Sequence, residues 1–389
     1  MLSDQFLSSW EELVSFDRLR KYRLDRVTSA VRDAGLDGLI SFKSDSIRYI
    51  SSLRPLIWEA GYQTRNIAIV DTRGNVCLYV ASGDYQRVVE NDPWLKTVKP
   101  LASMEDAGIS SKVINDQLLP QLKEMGLAGA RLGVDATTFY TIDFIRKAVG
   151  KGGPSLQEGD GVIRKARAVK SSDEIRLMRA AAGMVDGGFF EAKTNIVAGR
   201  TENEITGAAL RAMYSLGTEW MPVNPVVFSG AGAFRRFATS NPVRAGDSVI
   251  VNLSAMNDGY CAEATRTFLA GRAPAATRAL RATLEESYNS LVRKLVPSAR
   301  LRDIFAAYSN AVGTKAHPHL SIRGAGLSLA DLPQAHNASE AGGQKIEENN
   351  VVVLEARMEH PEDGSVQISD TIHATGSGAS FLTRFQGDQ

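Results

Sequence analysis

The order of the expected secondary structure changes near the middle of the chain, and this change constrains the fold more than any other feature. Before residue 150, helices and short strands alternate, beginning with apolar residues at helical spacing over 17–35 and a strand at Gly38–Phe42. Beyond residue 160, two long helices precede a strand-rich stretch that starts at Pro225. Alternation favours an α/β domain, whereas helices followed by runs of strands favour an α+β domain. We therefore expect two domains, 1–165 and 166–389.

Local signals place the individual elements. Ser171 with Glu174, and Thr201 with Glu204, have capping-box spacing, so we expect a helix to begin at each pair. The segment Asp71–Asn75 separates two β-rich runs and predicts a hairpin. Further strands are expected at Arg131–Asp135, Val226–Phe228, Ser248–Leu253, Thr265–Leu269, Val351–Ala356 and Thr371–Ala374.

Composition and charge exclude several classes of protein. The 389 residues include 45 Lys and Arg against 44 Asp and Glu, and a net charge of +1 argues against nucleic acid or an anionic membrane as partner. Only two cysteines occur, Cys77 and Cys261, which excludes a disulfide scaffold and a cysteine-rich metal cluster. The start of the sequence has no signal-peptide pattern, and no apolar run is long enough to span a bilayer. We therefore expect a cytoplasmic protein.

Three segments of the second half stand out by their order and spacing. They are Gly246–Asn252 with Gly259–Phe268, Pro318–His319 with Arg323–Leu327, and Val352–Glu355 with Gly364–Thr371. Together with the stretch Ile163–Ile175, they resemble the pita-bread family of creatinase, prolidase, aminopeptidase P and methionine aminopeptidase. The resemblance implies an α+β fold. A creatinase-like N-terminal α/β domain would precede a pita-bread catalytic domain with a curved antiparallel sheet, and the protein would be a homodimer.

The resemblance also locates a metal site whose ligands are mostly replaced. Peptidases of the family hold two divalent metals with Asp, Asp, His, Glu and Glu. The corresponding positions here are Asn252, Glu263, Arg323, Glu355 and Ser369, of which only Glu355 is unchanged. A guanidinium has no lone pair to offer a cation and carries a fixed positive charge. The sequence therefore predicts a member of the family that lacks the metal ligands, resembles creatinase at Asn252, and uses no metal or other cofactor.

The remaining ionisable side chains predict a site for acid–base chemistry. Alternate residues of a strand share a face, so Cys261, Glu263 and Thr265 are expected to point together, with Glu355 from a facing strand. His319 matches a substrate-binding histidine of the prolidase branch. We expect the catalytic residues to be Glu263, Glu355 and His319. The expected substrate-binding residues are Asn252, Arg323, Cys261, Ser369 and, from the N-terminal domain, Arg65.

Most of these residues also have a structural interpretation. Glu263, Arg323 and Glu355 could form an internal salt bridge that satisfies itself without catalysing anything. His319 could be a hydrogen-bonded core histidine, and Cys261 a small buried hydrophobe. Arg266 is expected to be structural.

The leading hypothesis is a metal-independent hydrolase of the creatinase type, not a peptidase. It would use Glu/His acid–base chemistry to cleave a C–N bond in a small anionic substrate. That substrate would be a carboxylate-bearing amide, amidine or cyclic amide. The alternatives are a lyase that performs β-elimination on a small carboxylate and a non-catalytic binding protein. A metal-dependent Xaa-Pro peptidase is the least favoured option. No nucleic-acid or membrane partner is expected.

Overall fold

The computed structural model describes residues 14–54, 66–102, 112–135, 146, 153–219, 221–223, 225–230, 237–313, 317–360 and 364–385. The chain divides into two compact units, one over Ser15–Arg167 and the other containing Ala168–Gln389. None of the helices in the described ranges is long and apolar enough to cross a membrane.

The N-terminal unit is built around a six-stranded mixed sheet. Its strand order is β4-β3-β2-β1-β5-β6, with parallel pairs at β3–β4, β1–β5 and β5–β6. The strands are β1 (Gly38–Ser41), β2 (Ile67–Asp71), β3 (Val76–Ala81), β4 (Thr97–Leu101), β5 (Arg131–Val134) and β6 (Ser155–Glu158). The helices are α1 (Phe16–Asp33), α2 (Ser44–Ser51), α3 (Tyr85–Asn91), α4 (Leu119–Glu124) and α5 (Asp160–Ala168), with a π-helical turn at Ile114–Leu118 before α4.

Local sequence signals explain this unit. Helix α1 begins after Ser15, whose hydroxyl accepts a hydrogen bond from the Arg18 amide, and it buries Leu19, Val27 and Val31 on one face. The predicted hairpin is present between β2 and β3. Its turn is held by the carboxylate of Asp71, which accepts hydrogen bonds from two backbone amides of the turn.

The C-terminal unit contains an antiparallel sheet of eight strands. Seven follow the order β11-β10-β12-β13-β9-β8-β7, and β14 pairs with β13. The strands are β7 (Val226–Ser229), β8 (Ser248–Asn257), β9 (Tyr260–Leu269), β10 (His317–Gly324), β11 (Asp331–Ala335), β12 (Val351–His360), β13 (Gly364–Thr375) and β14 (Gly378–Phe381). The helices are α6 (Ser172–Asn195), α7 (Glu202–Ser215), α8 (Ala275–Val292), α9 (Leu301–Val312) and α10 (Ala338–Ala341).

Both predicted capping boxes are present and begin α6 and α7. The Glu174 amide donates to the Ser171 hydroxyl at 3.2 Å, and the Ser171 amide donates to the Glu174 carboxylate at 2.6 Å. Helix α6 also packs closely on its neighbours at Gly188. A Cβ added there would lie 2.8 Å from the Met213 sulfur and 2.9 Å from a Leu253 methyl carbon.

The core of the C-terminal unit decides which face of the sheet carries polar side chains. On one face, residues such as Ile322, Leu354 and Ala356 belong to a buried apolar cluster that also contains residues of α8 and α9. Because alternate residues of a strand point to opposite faces, Arg323 and Glu355 belong to the other face. We call that second face of the eight-stranded sheet the polar face.

Candidate functional site

Strand register gathers the candidate residues on the polar face. Glu355 of β12 pairs with Ser369 of β13, and Ser369 pairs with Thr265 of β9. Thr265 in turn pairs with Asn252 of β8. Directly opposite residues of antiparallel strands point to the same face, so four strands place these four side chains side by side.

The carboxamide of Asn252 is oriented by its neighbours. Its nitrogen Nδ2 donates to Glu263 Oε1 at 2.9 Å and to Thr265 Oγ1 at 2.8 Å. Since an ionised carboxylate only accepts hydrogen bonds, the Asn252 atom beside Glu263 must be the NH₂ group. The oxygen Oδ1 of Asn252 is buried and has no hydrogen-bond partner among the described residues. This oxygen therefore has unused hydrogen-bond acceptor capacity.

One guanidinium nitrogen of Arg323 bridges the two carboxylates of the site. Arg323 Nη2 lies 2.9 Å from Glu263 Oε2 and 3.5 Å from Glu355 Oε2. Burial by itself lowers the pKa of the Arg323 guanidinium, but the charges of Glu263 and Glu355 outweigh burial and raise the pKa above its ordinary value. Arg323 therefore stays charged and is held by both carboxylates. We call Glu263, Arg323 and Glu355 the carboxylate–arginine cluster.

His319 lies at the margin of this cluster. Its nitrogen Nε2 is 3.9 Å from Glu355 Oε1, which is beyond hydrogen-bond distance. Burial, with help from the positive charge of Arg357, lowers the pKa of His319 below its ordinary value of 6.5. The imidazole is therefore neutral at neutral pH, and 39% of the His319 side chain is exposed to solvent.

The structure does not make every residue expected in the site accessible to a substrate. Cys261 is fully buried, and its sulfur lies 3.7 Å from the carbonyl oxygen of Gly259. Ser369 is also buried, and its hydroxyl donates to Thr265 Oγ1 at 2.9 Å. Arg65 lies outside the described residues.

The carboxylate–arginine cluster and Asn252 do not fit the family's pair of metal ions. In the described part of the chain, no three His, Cys, Asp or Glu side chains come together in a way that could hold a metal ion. The oxygens Glu263 Oε2 and Glu355 Oε2 face a guanidinium instead. Hard divalent cations need several oxygen or nitrogen donors, and an arginine supplies none.

Sequence reasoning missed one of two supports of the site. Thr371 Oγ1 exchanges hydrogen bonds with the backbone of Glu263, both at 2.9 Å, and so fixes that strand position against β13. Arg266, expected only to be structural, ties β9 to β13 by donating to the carbonyl of Ser369 and to the carboxylate of Asp370. The alternation of Thr265, Thr267 and Thr371 was the available signal for such hydroxyl bridges.

Comparisons with known proteins agree on the family. Residues 176–376 match the model of Metallopeptidase family M24, and residues 23–169 match that of the Creatinase/Prolidase N-terminal domain. The Xaa-Pro dipeptidase of Pyrococcus furiosus is 22% identical over 94% of this chain and 98% of its own length. A putative dipeptidase of Bacillus subtilis, YkvY, is 25% identical over 61% of this chain and 66% of that relative.

Solved structures show the same fold. The prolidase from Pyrococcus horikoshii OT3 superposes with a TM-score of 0.78 at 21% identity, covering 94% of this chain and 99% of the prolidase. The X-Pro aminopeptidase from Thermotoga maritima gives a TM-score of 0.76 at 17% identity, covering 93% and 97% of the two chains. The predicted α+β fold class, with a creatinase-like N-terminal domain before a pita-bread domain, is confirmed.

The prediction of a creatinase-type, metal-independent hydrolase that is not a peptidase is wrong. The relatives that match this chain over its length are named Xaa-Pro dipeptidases, and the matching catalytic model is that of a metallopeptidase family. The lyase and binding-protein alternatives have no support among these relatives either. The error came from giving the replaced ligand positions, above all Arg323, more weight than the similarity of the whole chain.

Proposed function

This chain belongs to Metallopeptidase family M24, and from that premise we propose that it is a hydrolase of the C–N peptide bond in dipeptide-sized substrates of the Xaa-Pro class. The observation that carries the proposal is the end-to-end similarity to Xaa-Pro dipeptidases. The polar face supports it, because that face retains Glu355 with an imidazole 3.9 Å away.

The ionisable groups differ in the roles they suit. Glu355 and His319 are the more accessible, with 17% and 39% of their side chains exposed, so we assign them contact with the reacting amide. The Glu355 carboxylate suits proton acceptance, and the neutral imidazole of His319 suits proton transfer near the leaving nitrogen. Glu263 is only 3% exposed and is held by Asn252 and Arg323, so we assign it a positioning role.

The net charge of the carboxylate–arginine cluster favours one end of a dipeptide over the other. The two carboxylates and one guanidinium of the carboxylate–arginine cluster sum to one negative charge. An Xaa-Pro dipeptide carries a free ammonium and a free carboxylate at neutral pH. The ammonium is expected at the cluster, beside the partly exposed carboxylate of Glu355. The carboxylate keeps the substrate within the class of small carboxylate-bearing molecules expected from the sequence.

The proposal also covers the metal ligands, the oligomeric state and the cellular location. We propose that this chain is a member in which the family's metal ligands are replaced, on the strength of Asn252, Arg323 and Ser369 at ligand positions. We also propose a homodimer located in the cytoplasm. Both follow from the family resemblance and the composition.

Release of free proline tests the proposed reaction. Purified protein is incubated with Ala-Pro, Leu-Pro and the reversed dipeptide Pro-Ala, with added Mn²⁺ in one series and a chelator in another, and products are measured by mass spectrometry. We expect proline from Xaa-Pro dipeptides in at least one series and none from Pro-Ala. Absence of proline release from every Xaa-Pro dipeptide in both series would refute the proposal.

Matched variants on β12 show whether the proposed residues act. Glu355→Gln is expected to lower the rate about 100-fold or more, as loss of a general acid or base does. Glu359→Gln is the control, since Glu359 lies on the same strand and pairs with Arg357 at 3.2 Å rather than with the cluster. The control should stay within about threefold of the wild-type rate.

A further inference from the structure

We propose that Arg323 is a resident cation that competes with divalent metal ions for the carboxylates of Glu263 and Glu355, so that removing its charge raises the affinity of the pocket for such ions. The inference concerns metal affinity alone and does not depend on the proposed peptidase activity. The family is one of metallopeptidases, whereas the carboxylate–arginine cluster of this chain does not fit metal ions.

The first step is steric. A metal ion shared by Glu263 and Glu355 would have to take the place between the carboxylates that one nitrogen of Arg323 occupies. The Oε2 oxygens of Glu263 and Glu355 lie 2.9 Å and 3.5 Å from that nitrogen. The other oxygen of Glu263 accepts a hydrogen bond from Asn252. Arg323 must therefore move before an ion can bridge the two carboxylates.

The second step is electrostatic. With Arg323 in place, the cluster presents one net negative charge, and a divalent ion would leave it with one net positive charge. Without the guanidinium, two carboxylates would be neutralised by one divalent ion. Since Glu263 is 3% and Arg323 15% exposed, solvent screens these charges less than it would on the surface. The neutralised arrangement therefore favours metal binding in an arginine-free variant.

The third step concerns the donors that remain. Oδ1 of Asn252 is buried without a hydrogen-bond partner in the described part of the chain, so it is an acceptor that no existing hydrogen bond uses. Together with Glu263 and Glu355 it would supply three oxygen donors. Oxygen ligands of this kind suit Mn²⁺. Replacing Arg323 with histidine would add an imidazole nitrogen to this set.

Calorimetric titration with Mn²⁺ and melting temperatures measured with and without Mn²⁺ test the inference. The variants are Arg323→Met, Arg323→Gln and Arg323→His, so that one unfolded variant does not end the test. Arg323→Lys keeps the charge, and Arg357→Met removes a different arginine from the polar face, one that pairs with Glu359.

We expect the neutral replacements of Arg323 to bind Mn²⁺ at least about tenfold more tightly than the wild type and to gain melting temperature when Mn²⁺ is added. Arg323→Lys and Arg357→Met should behave as the wild type. Equal affinity of the wild type and all folded neutral variants would overturn the inference, whether that shared affinity is high or undetectable. A gain of affinity in Arg357→Met as large as in Arg323→Met would also overturn it.

Discussion

Replacing Arg266 is expected to destabilise the C-terminal unit because this side chain joins the two central strands β9 and β13. Its guanidinium donates to the carbonyl oxygens of Thr265, Ser369 and Phe385, and to Asp370 Oδ1 at 2.6 Å. Thr265 and Ser369 are also the register pair that joins these strands. Arg266→Met keeps much of the aliphatic stem and removes every one of these donors.

The magnitude follows from the charge that is left behind. Asp370 is 2% exposed in the wild type, and in Arg266→Met the hydrogen-bond donors left to it among the described side chains are the hydroxyls of Tyr288 and Thr383. Breaking a buried ion pair by removing one partner costs about 3–5 kcal/mol. For a unit of about 200 residues, that corresponds to a fall of about 6–20 °C in melting temperature.

Urea unfolding followed by circular dichroism measures the loss. Arg281→Met is the matched control, since Arg281 pairs with Glu285 on α8 at 2.7 Å in a partly exposed i,i+4 pair, a kind that contributes about 0–1 kcal/mol. The double variant Arg266→Met, Asp370→Leu should recover part of the loss, because no buried charge remains unpaired. An Arg266→Met protein within about 1 kcal/mol of the wild type would refute this reasoning.

Two further predictions concern packing and buried charge in the same unit. Gly188→Ala should destabilise by about 1–3 kcal/mol because its methyl group would overlap Met213, whereas Gly183→Ala, on the same helix with open space around its Cβ, should be neutral or stabilise by up to about 1 kcal/mol. Equal effects of the two substitutions in urea unfolding would contradict this packing. Glu202 is fully buried. Burial raises its pKa, but hydrogen bonds donated by Thr239 and Ser229 outweigh burial and lower the pKa below 4.5. A lowered folded-state pKa means that the unfolded state takes up the proton first, so the stability that Glu202 contributes is present above pH 4.5 and is lost as pH falls through its folded-state pKa. Glu202→Gln should therefore unfold about 1–3 kcal/mol more easily at pH 7, and the difference should shrink in acid. A difference that is independent of pH would show that the charge of Glu202 has no role.

Much of the fold could be predicted from the sequence because its signals are local. Capping boxes at Ser171 and Thr201 act over three residues, and the turn at Asp71–Asn75 is closed by its own first side chain. Strands such as Val351–Ala356 have strongly apolar residues that match their burial. Such signals do not need the rest of the chain to be recognised.

The site was less predictable because its chemistry depends on contacts between strands distant in sequence. Strand alternation placed Cys261 and Glu263 on one face, but alternation does not show that packing buries the thiol completely. The pairing of Arg323 with both carboxylates was one of two interpretations left open, and only the distances between side chains distinguish a close contact from a neighbouring position. The orientation of Asn252 likewise depends on its carboxylate neighbour.

A crystal structure of Glu355→Gln with Ala-Pro bound is the most direct test of the account, because the account places the substrate on the polar face. We predict the dipeptide on the polar face, with its amide near residue 355 and His319. A cavity of about 490 Å³ elsewhere in the C-terminal unit, lined by Arg266, Tyr288 and Phe381 among others, offers a different place for a small ligand. Ala-Pro bound in that cavity, with the polar face empty, would contradict the account.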